Sequence, residues 1–495
     1  MTYSSAIAFL DSLVNYEKLP GPRSEFKLDN IHRLLELVGN PQGRMRNVIL
    51  VAGTKGKGSV CYMLDAALRG CKLSTGMFVS PHVLDVRERI QLRGKPIPKS
   101  LFASLVARLA PFVSPPSSAN LQSAICNLQS RVPVTYFEMT TAMAFLLFAE
   151  KQPDYSIIEV GLGGRLDATN LSDPKVSVIT RIGYDHLMVL GNTLRKIAGE
   201  KAGIMREGRP VVTSEQEPEA LTALKAKARL VRARLVRAPS VVSVPSVRST
   251  AAGSTFSPVF LRSSAPRPLT PEPRPPFLVR LPLLGQHQVE NCQTALAVLG
   301  ELAKNDGRIT FNRVARGLGA VSIPARCQVV RPSSLVLRPS SLVYLVDSCH
   351  NPESGRALAN VLRDHLPLLR TANRQSPIAN RQSPKVILVY GSLAGKLVAK
   401  TVAPLAPFVQ QAILVQPDNP RAMPLAELSR IFTRLRIPFV TADSIPSALA
   451  VARSSSFIVQ RSALPIVVAG SFYLAGEALK VLGSPRATCT NRPLR

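Results

Sequence analysis

Val51-Ala52-Gly53-Thr54-Lys55-Gly56-Lys57-Gly58-Ser59-Val60 is the stretch on which the reading of this chain turns. It follows the apolar run Val48-Ile49-Leu50 and leads into Cys61-Tyr62-Met63-Leu64-Asp65-Ala66-Ala67-Leu68, which reads as a helix. A strand, a glycine turn and a helix N-terminus together form an anion site, because free backbone N–H groups and the positive end of the helix dipole converge there. Lys57 adds a point charge, and Ser59 offers a hydroxyl to the magnesium that accompanies a triphosphate. The spacing departs from the strict P-loop G-x-x-x-x-G-K-[ST], because Gly58 separates Lys57 from Ser59. The plain alternative is a flexible glycine turn with a surface lysine. The stretch is read here as a nucleotide-phosphate cradle.

At 495 residues the chain is long enough for two or three domains, and its 46% apolar content supplies their cores. Aromatic residues make up only 5% and Trp is absent, which argues against stacking platforms for single-stranded nucleic acid. The seven cysteines show no C-x-x-C and no metal spacing, so they read as reduced thiols filling cores. No basic N-terminal region precedes an apolar core, and no apolar run reaches the roughly 18–20 residues of a membrane span. The expectation is a soluble, cytoplasmic protein with no membrane partner. The formal charge of +31 is of the kind found in nucleic-acid binders. Much of it lies outside the motif-bearing segments: residues 221–275 carry ten Lys/Arg against the single acid Glu272. That excess reads partly as inserted, solvated sequence, and no nucleic-acid partner is expected.

Three segments carry a duplication with the same seven-residue offset: Asn120-Leu-Gln-Ser at Asn127, Arg331-Pro-Ser-Ser-Leu-Val at Arg338, and Asn373-Arg-Gln-Ser-Pro at Asn380. They are rich in Ser and Pro and lack an apolar seam, so they read as small tandem insertions in surface loops, where added length costs little. The Pro/Ser/Arg-rich segment 238–276 has a similar texture and is expected to be loosely held. Elsewhere strands and helices alternate. Strands are predicted at 47–52, 76–80, 155–160, 176–181 and 210–213, and helices at 57–69, 135–150, 193–203 and 289–303. A second series follows, with strands at 342–347, 385–391, 412–416 and 464–470 and helices at 353–366, 424–435 and 473–482. The pattern predicts two α/β domains with parallel sheets, one over 1–325 and a smaller one over 344–484. Residues 326–343 would link them, with insertions near 113–131, 238–276 and 371–384 and a tail at 485–495.

Ligands of such sheets bind at the carboxyl ends of the strands, and most of the polar candidates fall there. Strand 76–80 ends at Ser80-Pro-His82, and strand 155–160 runs into Gly161-Leu-Gly-Gly-Arg165-Leu-Asp167-Ala-Thr-Asn170. Strand 176–181 leads to Gly183-Tyr-Asp185-His186. An acid at an apolar strand end is costly to bury without a cation, so Glu159 and His186 become metal candidates with Ser80 as a hydroxyl ligand. Equally, Glu159 can pair with Arg165, and His186 can be an ordinary loop histidine. Arg87 and Arg89 are candidates for holding substrate carboxylates, against the alternative of plain surface arginines.

The variant G-T-K-G-K-G-S and the motifs that follow it in order resemble the ATP-dependent amide ligases of the Mur type. Within them the chain resembles the folylpolyglutamate synthase/dihydrofolate synthase branch. The shared stretches are Ser80-Pro-His, E-V-G-L-G-G-R-L-D-A-T-N from Glu159, Asp185-His186, E-K-A-G-I from Glu200, and Asp347-Ser-Cys-His350-Asn-Pro. The resemblance implies an N-terminal P-loop ATPase domain and a smaller Rossmann-like domain. It also implies a nucleotide site of Gly53, Thr54, Lys55, Gly56, Lys57, Gly58 and Ser59, with Asn291 on adenine, Arg326 on the phosphates, and Asp347 and His350 closing from the second domain. Magnesium would be held by Ser59, Ser80, Glu159, His186 and Lys201, the lysine as its carbamate, which requires an amine of lowered pKa. Catalysis would fall to Lys57, Lys201, His186 and Arg326, and the acceptor would meet Arg87, Arg89 and Asp167. The implied reaction joins L-glutamate to dihydropteroate or folate at the expense of ATP, with small molecules as the partners and the chain a monomer. At two positions of the stretch Pro324-Ala325-Arg326-Cys327-Gln328 this chain departs from the family's P-G-R-F-Q, and Gly395 stands where an acid is usual.

Overall fold

The computed structural model describes residues 1–16, 27–114, 131–261, 277–331, 342–371, 385–458 and 464–483. Two of the three duplicated segments, and most of the third, lie outside these residues. The first domain is organised by β1 (Val48–Ala52), whose five residues are all buried, as expected for a strand covered on both faces. It is followed by β2 (Thr75–Phe78), β3 (Ile90–Leu92), β4 (Lys95–Pro96), β5 (Tyr155–Glu159), β6 (Pro174–Ile179), β7 (Pro210–Thr213) and β8 (Arg234–Arg237). These eight form one sheet in the order β4-β3-β2-β5-β1-β6-β7-β8, and β1 pairs in parallel with both β5 and β6. Three neighbouring parallel strands therefore deliver their following loops to one edge of the sheet.

Around this sheet lie α1 (Tyr3–Asp11), α2 (Asp29–Leu37), α3 (Lys57–Gly70), α4 (Lys99–Leu109), α5 (Tyr136–Lys151), α6 (Leu187–Leu190), α7 (Leu194–Ala202), α8 (Pro218–Leu230), α9 (Ala238–Val241), α10 (Gln286–Leu302) and α11 (Phe311–Leu318). One hydrophobic cluster joins the sheet to α1, α2, α4 and α5, and a second joins it to α3, α10 and α11. Small antiparallel pieces complete this part: β9 (Val242–Ser243), β10 (Val247–Thr250), β11 (Gly253–Phe256), β12 (Val259–Phe260) and β13 (Val279–Leu281).

The second domain has six strands: β14 (Gln328–Val330), β15 (Tyr344–Val346), β16 (Val386–Tyr390), β17 (Val409–Val415), β18 (Phe439–Ala442) and β19 (Ile466–Ala469). Their order is β14-β15-β19-β16-β17-β18, parallel except at the β14–β15 edge. The accompanying helices are α12 (Pro352–Thr371), α13 (Val398–Val402), α14 (Leu425–Arg434), α15 (Ile445–Ile458) and α16 (Phe472–Val481).

Three sequence expectations need correction. Much of the basic stretch 221–275 is structural: α8 buries Ala220, Leu224 and Ala228 and turns its cations to solvent, and β8 completes the sheet edge with Val236 buried. An amphipathic helix with a cationic face has the composition of a solvated insertion but not its periodicity. The first part of 238–276, through Phe260, forms α9 and β9 to β12, while 262–276 lie outside the described residues. Within 326–343, residues 328–330 are the edge strand β14.

α3 is pinned to α11 by two glycines. A Cβ on Gly317 would lie 2.2 Å from the carbonyl oxygen of Ala66, and one on Gly70 would lie 2.5 Å from that of Arg313. The contact fixes the helix that opens at the Gly53–Gly58 turn. Gly317→Ala is expected to destabilise the fold by about 1–3 kcal/mol through overpacking, measured as a lower midpoint in urea unfolding.

Candidate functional site

The loops after β5, β1 and β6 meet at the carboxyl edge of the first sheet. Gly53 follows β1 with φ 147°, where a Cβ would lie 1.8 Å from the Thr180 hydroxyl oxygen, so only glycine fits. The amides of Thr54 and Lys55 both donate to the Arg181 carbonyl (3.0 and 3.1 Å), tying the cradle to the loop after β6. Gly56 caps α3 with φ 86°, and a Cβ there would strike the Asn291 side chain at 2.2 Å. Asn291, on α10, thus stands directly against the glycine turn, held by its donation to Gln288 at 3.1 Å. Ser59 is buried in the first turn of α3.

Two lysines converge on one atom. Lys57 Nζ donates to the Gly53 carbonyl at 3.2 Å, and Lys201 Nζ, reaching in from α7, donates to the same oxygen at 2.9 Å. Burial, reinforced by the charge of Lys57, lowers the Lys201 pKa to about 7. Glu159 ends β5 and is buried, accepting the Ser80 N–H at 3.1 Å. Burial raises its pKa against the pull of Lys57. The described residues give it no ion pair, and Arg165 is engaged instead by Glu200 at 3.0 Å.

His186 follows the same edge but lies nearly half exposed in a left-handed turn, its Nε2 3.8 Å from Asp185. Among the described residues no three His, Cys, Asp or Glu side chains gather as a metal cluster. What fits a hard cation here is oxygen chemistry, the Glu159 carboxyl together with the Ser59 hydroxyl beside the cradle.

A cleft of about 2210 Å³ opens over these loops, with the second domain as its far wall. There Arg326 lies between Ala325 (φ 52°) and Cys327 (φ 47°), two left-handed residues without glycine's freedom. The turn is held by Asp347, which accepts the Cys327 N–H at 2.8 Å, and by the Ser348 N–H on the Ala325 carbonyl at 3.0 Å. The Arg326 guanidinium lies over the Phe472 ring, 4.8 Å from its centroid, and donates to the Ser348 hydroxyl. His350 Nδ1 meets the Ser348 carbonyl at 2.9 Å, and burial plus the charges of Lys55 and Lys396 push its pKa down to about 3. Lys55 Nζ sits 3.5 Å from Asp185. Burial works against the Asp185 charge, but Lys55 and His186 outweigh it and hold its carboxyl well below the usual range.

Arg89 and Asp167 line the cleft, whereas Arg87 is not brought to it. Arg87 is bidentate to Asp85 (2.7 and 3.0 Å) and donates to the Ile97 carbonyl, so its charge is used within the fold. Arg89 is buried, its Nε donating to His82 Nδ1 at 3.0 Å. Asp167 accepts the Leu162 N–H (2.8 Å), the Thr169 N–H (3.0 Å) and the Thr169 hydroxyl, organising the glycine-rich loop. The cleft lining also holds Lys396, Arg421 and Phe472, to which sequence reasoning assigned no role, and Glu138, which it missed. Glu138 had a readable signal, since Thr135-x-x-Glu138 is the capping box that starts α5.

A phosphate cradle facing a second α/β domain across a cleft describes an ATP-dependent ligase of the Mur type, and residues 119–299 match the Mur ligase middle domain. A folylpolyglutamate synthase of Lacticaseibacillus casei is 30% identical over 490 residues, covering 97% of this chain and 99% of that protein. A dihydrofolate synthase/folylpolyglutamate synthase of Bacillus subtilis is 32% identical over 363 residues, 73% of this chain and 76% of that protein. The structure of Mycobacterium tuberculosis folylpolyglutamate synthase complexed with ADP superposes with a TM-score of 0.78 at 28% identity, covering 98% of this chain and 99% of that one. The chain belongs to the folylpolyglutamate synthase/dihydrofolate synthase family. Among its described residues, no helix is long and apolar enough to cross a membrane.

The depressed Lys201 makes a stability prediction. Its folded value, about 7, lies below the 10.5 of an unburied lysine, so across that window the unfolded chain binds the extra proton. Stability should therefore rise as pH climbs from about 7 in bicarbonate-free buffer. Lys201→Met should flatten that rise, read from urea midpoints across the window.

Proposed function

We propose that this cleft joins L-glutamate by an amide bond to dihydropteroate or to the γ-carboxylate of a folate, using ATP. The γ-phosphoryl group passes to the acceptor carboxylate, giving an acyl phosphate and ADP. The glutamate amine then attacks the acyl carbon, the carbon–oxygen bond to phosphate breaks, and the amine gives up its proton. The difficulty is bringing anions together, and the observation that carries this reading is where the cations stand. Lys57 holds the Gly53 carbonyl at the glycine turn, and Arg326 faces it from the second domain. Charge fixed in advance where anions meet lowers the barrier more than any other single effect in reactions of this kind.

In this reading the Gly53–Ser59 turn and Asn291 hold the nucleotide, with Lys57 on its phosphates. Arg326, fixed by Ser348 and Phe472, reaches the phosphates from across the cleft, and Asp347 and His350 close over them. Glu159 and Ser59 would hold magnesium, with the Ser80 hydroxyl and His186 brought in by rearrangement of their loops. When bound, magnesium supplies positive charge to the phosphate oxygens. A lysine with a pKa of about 7 has a neutral amine available near neutral pH. Its nitrogen adds to CO₂ and loses a proton, giving the carbamate that would exchange a cation for an anion beside the metal. Arg89 and Asp167 border the acceptor. The chain works as a monomer in the cytoplasm, and a dimer mass by light scattering would overturn the first part.

The deciding measurement is phosphate release with MgATP and L-glutamate, with dihydropteroate or tetrahydrofolate supplied separately. Stimulation by either, lost about 100-fold in Lys57→Ala, is the expected result. Binding of ATP without stimulation by either acceptor would overturn the folate assignment.

A further inference from the structure

His365 lies on α12, thirteen residues beyond its start, at 1% exposure, and is not among the residues lining the cleft. Both its ring nitrogens bond to the first domain. The Gly285 N–H donates to Nε2 at 3.2 Å, and Nδ1 lies 3.1 Å from the Thr250 carbonyl oxygen. The first bond makes Nε2 the acceptor, so the proton sits on Nδ1 and is donated to Thr250, which defines a neutral tautomer. Gly285 caps α10, the helix of Asn291, and Thr250 ends β10. One turn before His365, Val361 closes on Gly285, where a Cβ would lie 2.7 Å from its side chain. Leu284 belongs to the second domain's hydrophobic cluster.

From its start as far as Asn360, α12 lines the cleft. Asp347 and His350 immediately precede it, and Glu353 in its first turn reaches the Gly183 loop, where a Cβ on Gly183 would lie 2.5 Å from its carboxylate. At 1.5 Å per residue, about 20 Å of continuous helix joins that end to His365. We propose that His365 is a positioning residue for domain closure. It fixes the rear of α12 against Thr250 and Gly285, and so sets where Asp347 and His350 meet the phosphate cradle. Hairpin 247–256, in the segment whose composition reads as an insertion, is then part of the closing machinery.

The test compares His365→Leu with His365→Gln in the full chain. A glutamine amide offers an acceptor oxygen and a donor nitrogen at nearly the imidazole spacing, whereas leucine offers neither. Hydrogen exchange is followed by mass spectrometry over 247–256, 284–291 and 347–355, together with kcat for phosphate release; only the latter rests on the ligase reading. The leucine variant should exchange faster in all three segments and lose about tenfold or more in kcat, and the glutamine variant should restore both. A purely local role would leave 347–355 and kcat unchanged in the leucine variant, which would overturn the proposal, as would equal losses in both variants. If the leucine variant does not fold, His365→Asn, polar but too short to span both partners, takes its place with the same expected outcomes. A chain inactive on every acceptor but showing the exchange pattern would sink the folate reading and leave this one standing.

Discussion

The Gly53 carbonyl is the atom on which the site depends. It accepts from two lysines whose backbones are far apart in the chain, and both bonds need β1, α3 and α7 in register around one oxygen. Two ammonium groups on one acceptor repel strongly in a buried setting, and the arrangement is relieved when one amine is neutral. Lys201 is the one driven towards neutrality, because it is buried at the end of α7. The steric demand is equally local: with Thr180 1.8 Å from where a Cβ would stand, the carbonyl can take this place only on a glycine. A single glycine thereby links the parallel order β5-β1-β6 to the titration of a lysine on another helix.

Arg326 is flanked on both sides by left-handed residues that are not glycine. Ala325 and Cys327 both sit in the left-handed region, at a cost of about 1–2 kcal/mol each without glycine. The turn persists because Asp347 and Ser348, at the end of β15, bond its amide and carbonyl. Those same residues belong to the loop that faces the nucleotide cradle, so the strain is carried where it orients the arginine. Ser348 also accepts the Arg326 guanidinium on its hydroxyl, tying the arginine to the same loop.

How far the sequence could be read follows from which signals are local. Buried parallel strands announce themselves as continuous apolar runs, and the glycine turns between them as breaks, so the inner strands of both sheets and the loops after β1, β5 and β6 were legible, whereas β3, β4, β8, β14 and β18 were not. The helices of the N-terminus and α4 carry no chemical motif, yet their apolar residues recur at helical spacing, Ile31, Leu34 and Leu35 in α2 and Phe102, Leu105, Val106 and Leu109 in α4, a local signal that the search for chemistry passed over. In α8 the charge composition hides the spacing: Ala220, Leu224 and Ala228 recur at four-residue intervals beneath the cations. Of the two candidate arginines, Arg87 has a carboxylate two residues earlier in Asp85, a local partner that takes it out of the cleft. Arg89 is instead held by His82 and Tyr136, the latter distant in sequence, and no local pattern reports that. His186 is a case where the motif is present but the geometry, nearly half exposed beside Asp185, does not gather it onto Glu159.

The charge distribution separates the surface from the site. Over the whole chain there are 62 Lys/Arg against 31 Asp/Glu. Lining the cleft, among the described residues, are ten of each sign. A site that attracted anions by net charge would show the reverse, with the basic excess concentrated where the anions bind. Here the acids are gathered in the cleft and bind its cations in place, Asp185 on Lys55 and Glu200 on Arg165, while the surplus cations lie on outer faces such as that of α8. On the proposed reading, affinity for a triphosphate comes from arrangement: the amides at the start of α3, and Lys57 and Arg326 on opposite walls of the cleft. Such a field acts over a few ångströms and is screened little by salt when the domains are closed, whereas the surface excess is screened within about 8–10 Å. The basicity that dominates the composition is thus a property of the exterior, and the chemistry rests on a nearly neutral cleft with its charges fixed in position.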